Sequence, residues 1–335
     1  MLTIDGSEGE GGGQVLRSAL ALSAVTGTPF RIHKIRAGRE RSGLLRQHLT
    51  GLNAITAICN ADVDGAVLGS TEVVFKPRAV VPGDYTFAVG TAGSANLVLQ
   101  TVLLPLALAK GPSRLALEGG THNPTSPPFH YLEAVYAPLL AKMGLTLGLT
   151  LERWGFYPAG GGRFVADIKP VEHLTGFDLL ERGDVREVQI RAVVAGLPEK
   201  IGLREVAAAV HLLGRDRDDG RVLSVGGGPG NALWIKVVCE HATELFTAFG
   251  EKRVSSDQVA ERCAVEVKHW LAANVPVAEH TADQLLLPLA LAGRGSFRTS
   301  APTLHTRTHV DVIQRFLDVP IALVEDSGAW RITVG

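Results

Sequence analysis

Leu104-Pro105-Leu106-Ala107-Leu108-Ala109 recurs, residue for residue, as Leu287-Pro288-Leu289-Ala290-Leu291-Ala292. Each copy runs on to a glycine, Gly111 or Gly293, and an identical apolar hexapeptide at two distant places is the mark of a repeated supersecondary unit. A looser third version, Leu16-Arg-Ser-Ala-Leu-Ala-Leu-Ser23, follows the first glycine-rich stretch. All three read as a turn leading into a small-residue, leucine-rich helix. The proline kept inside the apolar pattern predicts a shared geometry, either a first-turn position or a kink.

Working outward, β-like alternation over residues 30–35, 85–89, 114–118 and 164–168 is interleaved with a helical pattern over 44–58, which predicts an α/β or α+β fold with several sheets. From Asp178 to Val275 the texture changes: 28 of 98 residues are charged, against 39 of the other 237. That segment has strand patterns of its own over 185–194 and 233–238 and an amphipathic helix over 256–271. Because the third leucine-rich unit resumes only beyond it, a small α/β domain over 181–275 is expected to be inserted into a large domain formed by 1–180 and 276–335.

The chain has 335 residues, 46% hydrophobic and 20% charged, with net charge −1. This excludes a fibre or a disordered tail and allows two domains. Near-neutral charge argues against a sequence-independent nucleic-acid coat but leaves room for a local basic site. Cys59, Cys239 and Cys263 are far apart and odd in number, so reduced buried thiols and a cytosolic setting are expected. No apolar run reaches the length of a membrane span, and no signal-peptide pattern opens the sequence. Arginine supplies 24 of the 33 basic residues, a bias that suits bidentate phosphate recognition as well as it suits a GC-rich coding sequence.

Three stretches carry chemistry. Gly6-Ser-Glu8-Gly-Glu10-Gly-Gly-Gly-Gln14 runs into the first leucine-rich helix, and such a loop lets backbone N–H groups approach an anion at a helix N-terminus. Glu8 and Glu10 would repel a bare phosphate, which implies an intervening divalent cation or a set of arginines. The loop has neither the Gly-Lys-Ser/Thr ending of a P-loop nor the dinucleotide-binding glycine register. Arg31 to His48 concentrates positive charge around Gly38 and Gly43, fitting either a phosphate-bearing substrate or a solvated basic face. Pro302-Thr-Leu-His305-Thr-Arg-Thr-His309 is expected just ahead of a helix, where a histidine tends to stay neutral and can serve as nucleophile or base. The alternatives are a structural histidine and a zinc pair four residues apart, for which no third ligand is evident. Two further glycine clusters, 160–162 and 226–230, read as turns.

These pieces together resemble the RNA 3'-terminal phosphate cyclase family over essentially the whole chain. The resemblance is carried by Asp5-Gly-Ser-Glu-Gly-Glu-Gly-Gly-Gly-Gln-Val-Leu-Arg-Ser18, Ile35-Arg-Ala-Gly-Arg39, Gly43-Leu-Leu-Arg-Gln-His-Leu49, Gly119-Gly-Thr-His-Asn-Pro124, Gly155-Phe-Tyr-Pro-Ala-Gly-Gly-Gly162 and Ala282-Asp-Gln-Leu285. It implies a large domain of three repeated βαβαββ units, like the C-terminal domain of a bacterial translation initiation factor, with a smaller inserted α/β domain. It also implies a reaction in which ATP adenylates an enzyme histidine, AMP passes to an RNA 3'-phosphate, and the 2'-hydroxyl closes a 2',3'-cyclic phosphate.

Carried over residue by residue, the nucleophile falls on His305. The ATP pocket falls on Gln100, the Pro127-Pro128-Phe129 turn, and His280, Thr281, Ala282, Asp283 and Gln284. Phosphate handling falls on Arg17, Arg36, Arg39 and Gln47, and a divalent metal, Mg or Mn, falls on Glu10. The implied partners are ATP and RNA with 3'-phosphate ends in the cytoplasm, with no membrane partner; the oligomeric state stays open, a homodimer included. His280 stands where tyrosine is common, Trp154 where a basic residue or histidine is frequent, and Thr281 where leucine is frequent, so nucleotide affinity is expected to differ. The rival reading is a non-catalytic relative that binds RNA during ribosome assembly. Such proteins lack the nucleophilic histidine and much of the pocket, whereas His305, Asp283, Gln284 and Glu10 are all here. No lysine begins a Lys-x-Asp-Gly motif, which disfavours a lysine nucleotidyltransferase.

Overall fold

The computed structural model describes residues 1–335. The chain opens with β1 (Leu2–Asp5), α1 (Gly13–Thr26), β2 (Phe30–His33), α2 (Arg46–Cys59), β3 (Asp62–Asp64) and β4 (Val73–Lys76). Then come β5 (Asp84–Ala88), α3 (Ala95–Ala107), β6 (Ser113–Gly119), α4 (Phe129–Tyr131), a π-helical turn over Leu132–Tyr136, α5 (Ala137–Lys142), β7 (Leu147–Arg153) and β8 (Gly162–Ile168). After β9 (Asp178–Leu179) lie β10 (Val185–Ala195), α6 (Lys200–Leu213), β11 (Gly220–Val225), β12 (Gly230–Cys239), β13 (Thr243–Phe249) and α7 (Ser256–Ala273). The chain closes with α8 (Glu279–Ala292), β14 (Gly295–Thr299), α9 (Leu304–Phe316), β15 (Ile321–Asp326) and β16 (Ala329–Val334). This is a mixed α/β protein of several sheets.

Three sheets share one plan. Their orders are β1-β2-β4-β3, β5-β6-β8-β7 and β9-β14-β16-β15. In each, the first two strands run parallel across a helix and the remaining neighbours pair antiparallel. The fourth sheet, β11-β10-β12-β13, falls in sequence between β9 and α8. It has an apolar cluster of its own, including Ile190, Leu233, Ile235, Cys263 and Trp270, separate from the larger one that joins the other sheets. All three cysteines are free and buried, and no helix is long and apolar enough to cross a membrane.

The leucine-rich helices are apolar nearly all round because they are packed on several sides, as such helices must be. Every residue of α3 is buried except Gln100. Of the two positions expected for the repeated proline, the first turn is excluded: Pro105 and Pro288 lie inside α3 and α8, toward their C-terminal ends. A proline there forfeits one i to i−4 hydrogen bond within a short final stretch, which limits the damage to the helix.

A buried aromatic cluster joins the fourth sheet to the second. His122 Nε2 meets His130 Nδ1 at 3.2 Å, and Thr121 Oγ1 meets His122 Nδ1 at 2.8 Å. Trp154 stacks over His122 with centroids 4.7 Å apart, while Trp234 of β12 lies 4.5 Å from His130. Burial pushes His122 well below the ordinary histidine range, helped by His130, and brings His130 down to about 4. Both are therefore neutral at pH 7 when folded, whereas unfolded histidines protonate near ~6.5. As pH falls below that value the unfolded chain takes up protons that the native pair refuses. Stability should drop by up to ~1.4 kcal/mol per pH unit for each histidine until the folded values are reached. In urea titrations between pH 6.5 and 5, a His130→Gln variant should lose about 1.6 kcal/mol less than the parent; equal acid sensitivity would refute the assignment.

Candidate functional site

The site forms where α1, α8 and α9 pack together. The N-cap of α1, Gly12, supplies no side-chain acceptor and the first turn holds no acid, so no side chain caps its N–H groups; the Glu10 carboxylate lies against Gly12, where a Cβ would run into it. Two glycines are required by close contacts. Gly9 has φ +61°, and a Cβ on it would run into Thr308 Oγ1, the hydroxyl that accepts from Glu10 N at 2.9 Å. A Cβ on Gly13 would collide with His48 Nε2. The loop is thus held tightly between α9 and the start of α2.

A polar stripe on α1, Gln14 and Ser18, faces a matching stripe on α9, His305 and His309. Residues four apart lie on one helix face, so two helices side by side bring both pairs into register. His305 Nδ1 meets Gln14 Oε1 at 3.1 Å, and Ser18 Oγ meets His309 Nε2 at 2.9 Å. Asp283 of α8 sits between them. Its Oδ1 accepts from Gln14 Nε2 and lies 3.0 Å from His309 Nδ1. The carboxylate, being an acceptor only, fixes the Gln14 amide with its nitrogen toward Asp283 and its oxygen toward His305. Nδ1 of His305 must then carry the proton, leaving Nε2 with a free lone pair, 3.6 Å from Glu10 Oε1.

Electrostatics agrees with this proton inventory. Burial lowers the His305 pKa; Asp283 opposes the shift, while Arg39, His280 and Arg17 reinforce it. For Asp283, burial acts upward but is outweighed by His309, Gln14 and His305, and its pKa stays below the usual value. His305 is therefore neutral and half exposed, with an ionised carboxylate one amide away. Sequence reasoning expected it just ahead of a helix; it lies instead in the first turn of α9, because Thr303 Oγ1 accepts from Thr306 N at 3.2 Å and starts the helix at Leu304.

The Glu10 side chain is only 6% exposed, with Arg39 against Oε1. Neither of its carboxylate oxygens, Oε1 or Oε2, has a hydrogen-bond partner. Arg17 reaches back toward Gly13 at the start of α1, its pKa brought down to about 10 by burial and supported by Asp283; it stays charged at neutral pH. Arg36, at φ +56°, donates from Nη1 to Arg41 O at 2.5 Å and Gly43 O at 3.3 Å, so it also shapes the loop that carries Arg39. Gln47 Oε1 accepts from Ser94 N at 3.0 Å, joining α2 to the start of α3.

The remaining positions divide into two groups. Gln100 reaches Gln284, which in turn donates to Asp283 Oδ2 at 3.1 Å, so these three adjoin the His305 network. His280 is exposed near the start of α8. Pro128 caps α4 and is half-buried. Phe129, Thr281 and Ala282 are buried. Phe129 packs edge-on against Phe164, and the Thr281 hydroxyl turns away to Glu244. None of these three presents an exposed side chain.

Sequence reasoning assigned no role to Gln14, Ser18, His48 or Glu244. The i, i+4 polar pair on the largely apolar α1 was the signal for the first two. His48 is buried, and its pKa falls to about 3 through desolvation with Arg17 and Arg36 nearby. Its Nδ1 accepts from Leu45 N at 3.1 Å, so the neutral ring presents an Nε2–H beside Gly13. The two spaced histidines diverge, one toward Gln14 and the other toward Ser18 and Asp283. No group of three or more His, Cys, Asp or Glu side chains that could hold a metal ion is present.

A family model described as RNA 3'-terminal phosphate cyclase matches residues 8–323. The chain is also 52% identical, over 336 aligned positions spanning 100% of it and 95% of the relative, to a protein of Koribacter versatilis (strain Ellin345) named RNA 3'-terminal phosphate cyclase.

Proposed function

The chain belongs to the RNA 3'-terminal phosphate cyclase family, and from that premise we propose that it uses ATP to convert an RNA 3'-phosphate into a 2',3'-cyclic phosphate. The observation that carries this reading is the free Nε2 lone pair of His305, oriented by the Asp283–Gln14 relay near the start of α1. Nε2 attacks the α-phosphorus of ATP, forming an N–P bond as the P–O bond to pyrophosphate breaks. The resulting imidazolium keeps its Nδ1 proton on Gln14, and Asp283 offsets the charge. An oxygen of the RNA 3'-phosphate then displaces neutral imidazole and takes the AMP. Finally the 2'-hydroxyl attacks the 3'-phosphorus and expels AMP, which is why RNA and not DNA can be cyclised.

The α1 N–H groups, Arg17, Arg39 and the His48 Nε2–H suit the negative oxygens of the nucleotide. Gln100 and Gln284, next to Asp283, suit its nucleoside part, and Gln47 steadies the loop between. The partnerless Glu10 Oε2 fits a hard divalent cation, Mg or Mn, completed by phosphate and water oxygens, since one carboxylate suffices for such an ion. Bound there, the cation would neutralise charge on the phosphates.

We read the three like sheets as repeats of one βαβαββ unit, of the kind found in the C-terminal domain of a bacterial translation initiation factor, and residues 181–275 as an inserted domain. A cytoplasmic setting fits free buried thiols. The rival assembly-factor reading has no use for a free histidine nitrogen next to an oriented carboxylate. Incubating the protein with ATP, a divalent cation and an RNA ending in 3'-phosphate should yield ATP-dependent cyclic ends. An RNA that keeps its 3'-monophosphate under those conditions rejects the proposal.

A further inference from the structure

The inserted segment contacts the start of α8, the helix that carries Asp283, through a buried carboxyl side chain. Glu244, on β13, is 2% exposed. Its Oε1 accepts from Ala278 N at 2.8 Å and its Oε2 from Thr281 Oγ1 at 2.8 Å. Ala278 is the N-cap of α8, and alanine has no oxygen to offer the orphan N–H groups of a helix start. Thr281, three residues on, also receives the Tyr131 hydroxyl at 3.0 Å. A carboxylate at a helix N-terminus is favoured by both hydrogen bonding and the helix dipole. Asp283 and Gln284 follow in the next turn of the same helix, so the position of this first turn fixes where the His305 relay is held.

We propose that Glu244 is a positioning residue for nucleotide binding: it caps α8 from the inserted domain and thereby sets Asp283 and Gln284 against Gln14 and Gln100. This rests on the ATP reading above and gives the inserted domain a role in ordering the nucleotide site. Burial pushes its carboxyl up to about 7, while the three donors, Ala278, Thr281 and Leu245, pull the other way. The group is penalised by its surroundings yet held in place, as expected where position matters more than exposure.

The test compares Glu244→Ala and Glu244→Gln in the full chain, reading half-saturating ATP for self-adenylation, the maximal rate, and hydrogen exchange of the amides of 279–284. Gln keeps the acceptor for Ala278 N and can donate to Thr281 Oγ1, so it should restore most of the function. The expected result is a rise of roughly tenfold or more in half-saturating ATP for the alanine variant, a smaller change in maximal rate, and faster exchange confined to the start of α8. The glutamine variant should lie within about threefold of the parent. Unchanged ATP dependence and unchanged exchange in a folded alanine variant overturn the proposal, as does uniform acceleration of exchange over all helices, which means general destabilisation. If the parent forms no adduct, the ATP reading fails while the exchange arm still decides whether Glu244 holds α8.

Discussion

Replacing His305 by alanine is expected to abolish the protein–AMP adduct that the parent forms with labelled ATP and a divalent cation, lowering its formation by at least ~10³-fold. The adduct should be acid-labile and base-stable, as a phosphoramidate on imidazole is. His309 cannot take over: one of its nitrogens is engaged by Ser18 and the other by Asp283, in a buried position. An undiminished adduct in His305→Ala, or one that moves to His309, would sink the assignment. The parent should also show a distinctive pH profile. Because the His305 pKa is lowered, its Nε2 is free throughout the neutral range, so the adenylation rate should be flat there and fall only on the acid side of ~6.5. A rate still rising steeply between pH 7 and 8 would mean that some other group is the nucleophile.

Asp283→Asn is expected to have the next largest effect, slowing adduct formation by up to about 10⁴-fold, the loss seen when a neutral amide replaces the carboxylate behind a catalytic histidine. The shape is retained, so the loss reports charge and proton placement. In that variant the new amide nitrogen, facing Gln14, would invite Gln14 to turn over, offering its own N–H to His305 and placing the imidazole proton on Nε2. Gln14→Ala should reproduce much of the defect, and the double variant should be far from additive because both residues act through one imidazole. An Asp283→Asn rate within threefold of the parent, measured at saturating ATP, would remove the relay from the mechanism.

Much of the large-scale layout was legible because it rests on local signals. The twin hexapeptides marked two equivalent helices, and the rise in charge density after Asp178 marked a segment with a fourth sheet and its own apolar cluster. Boundaries were read less well. The start of α9 moved ahead of His305 because a threonine cap overrides the apolar periodicity that began later at Val310. The repeated proline was left between a first-turn and a kink position, since a pattern of leucines does not say where along the helix it begins.

Sequence alone determined which residue types were available for the chemistry: a glycine-rich helix entry, arginines, a carboxylate and a histidine at a helix start. Only the tertiary structure decided how they are arranged. Gln14, unremarked among the apolar residues of α1, becomes the link between Asp283 and His305 because three helices from opposite ends of the chain converge there. Glu244 becomes the cap of a helix whose own N-cap is alanine. Hydrogen bonds are short-ranged and directional, so which nitrogen of His305 is free is settled by a contact between residues nearly three hundred positions apart, and no local pattern in the sequence encodes it.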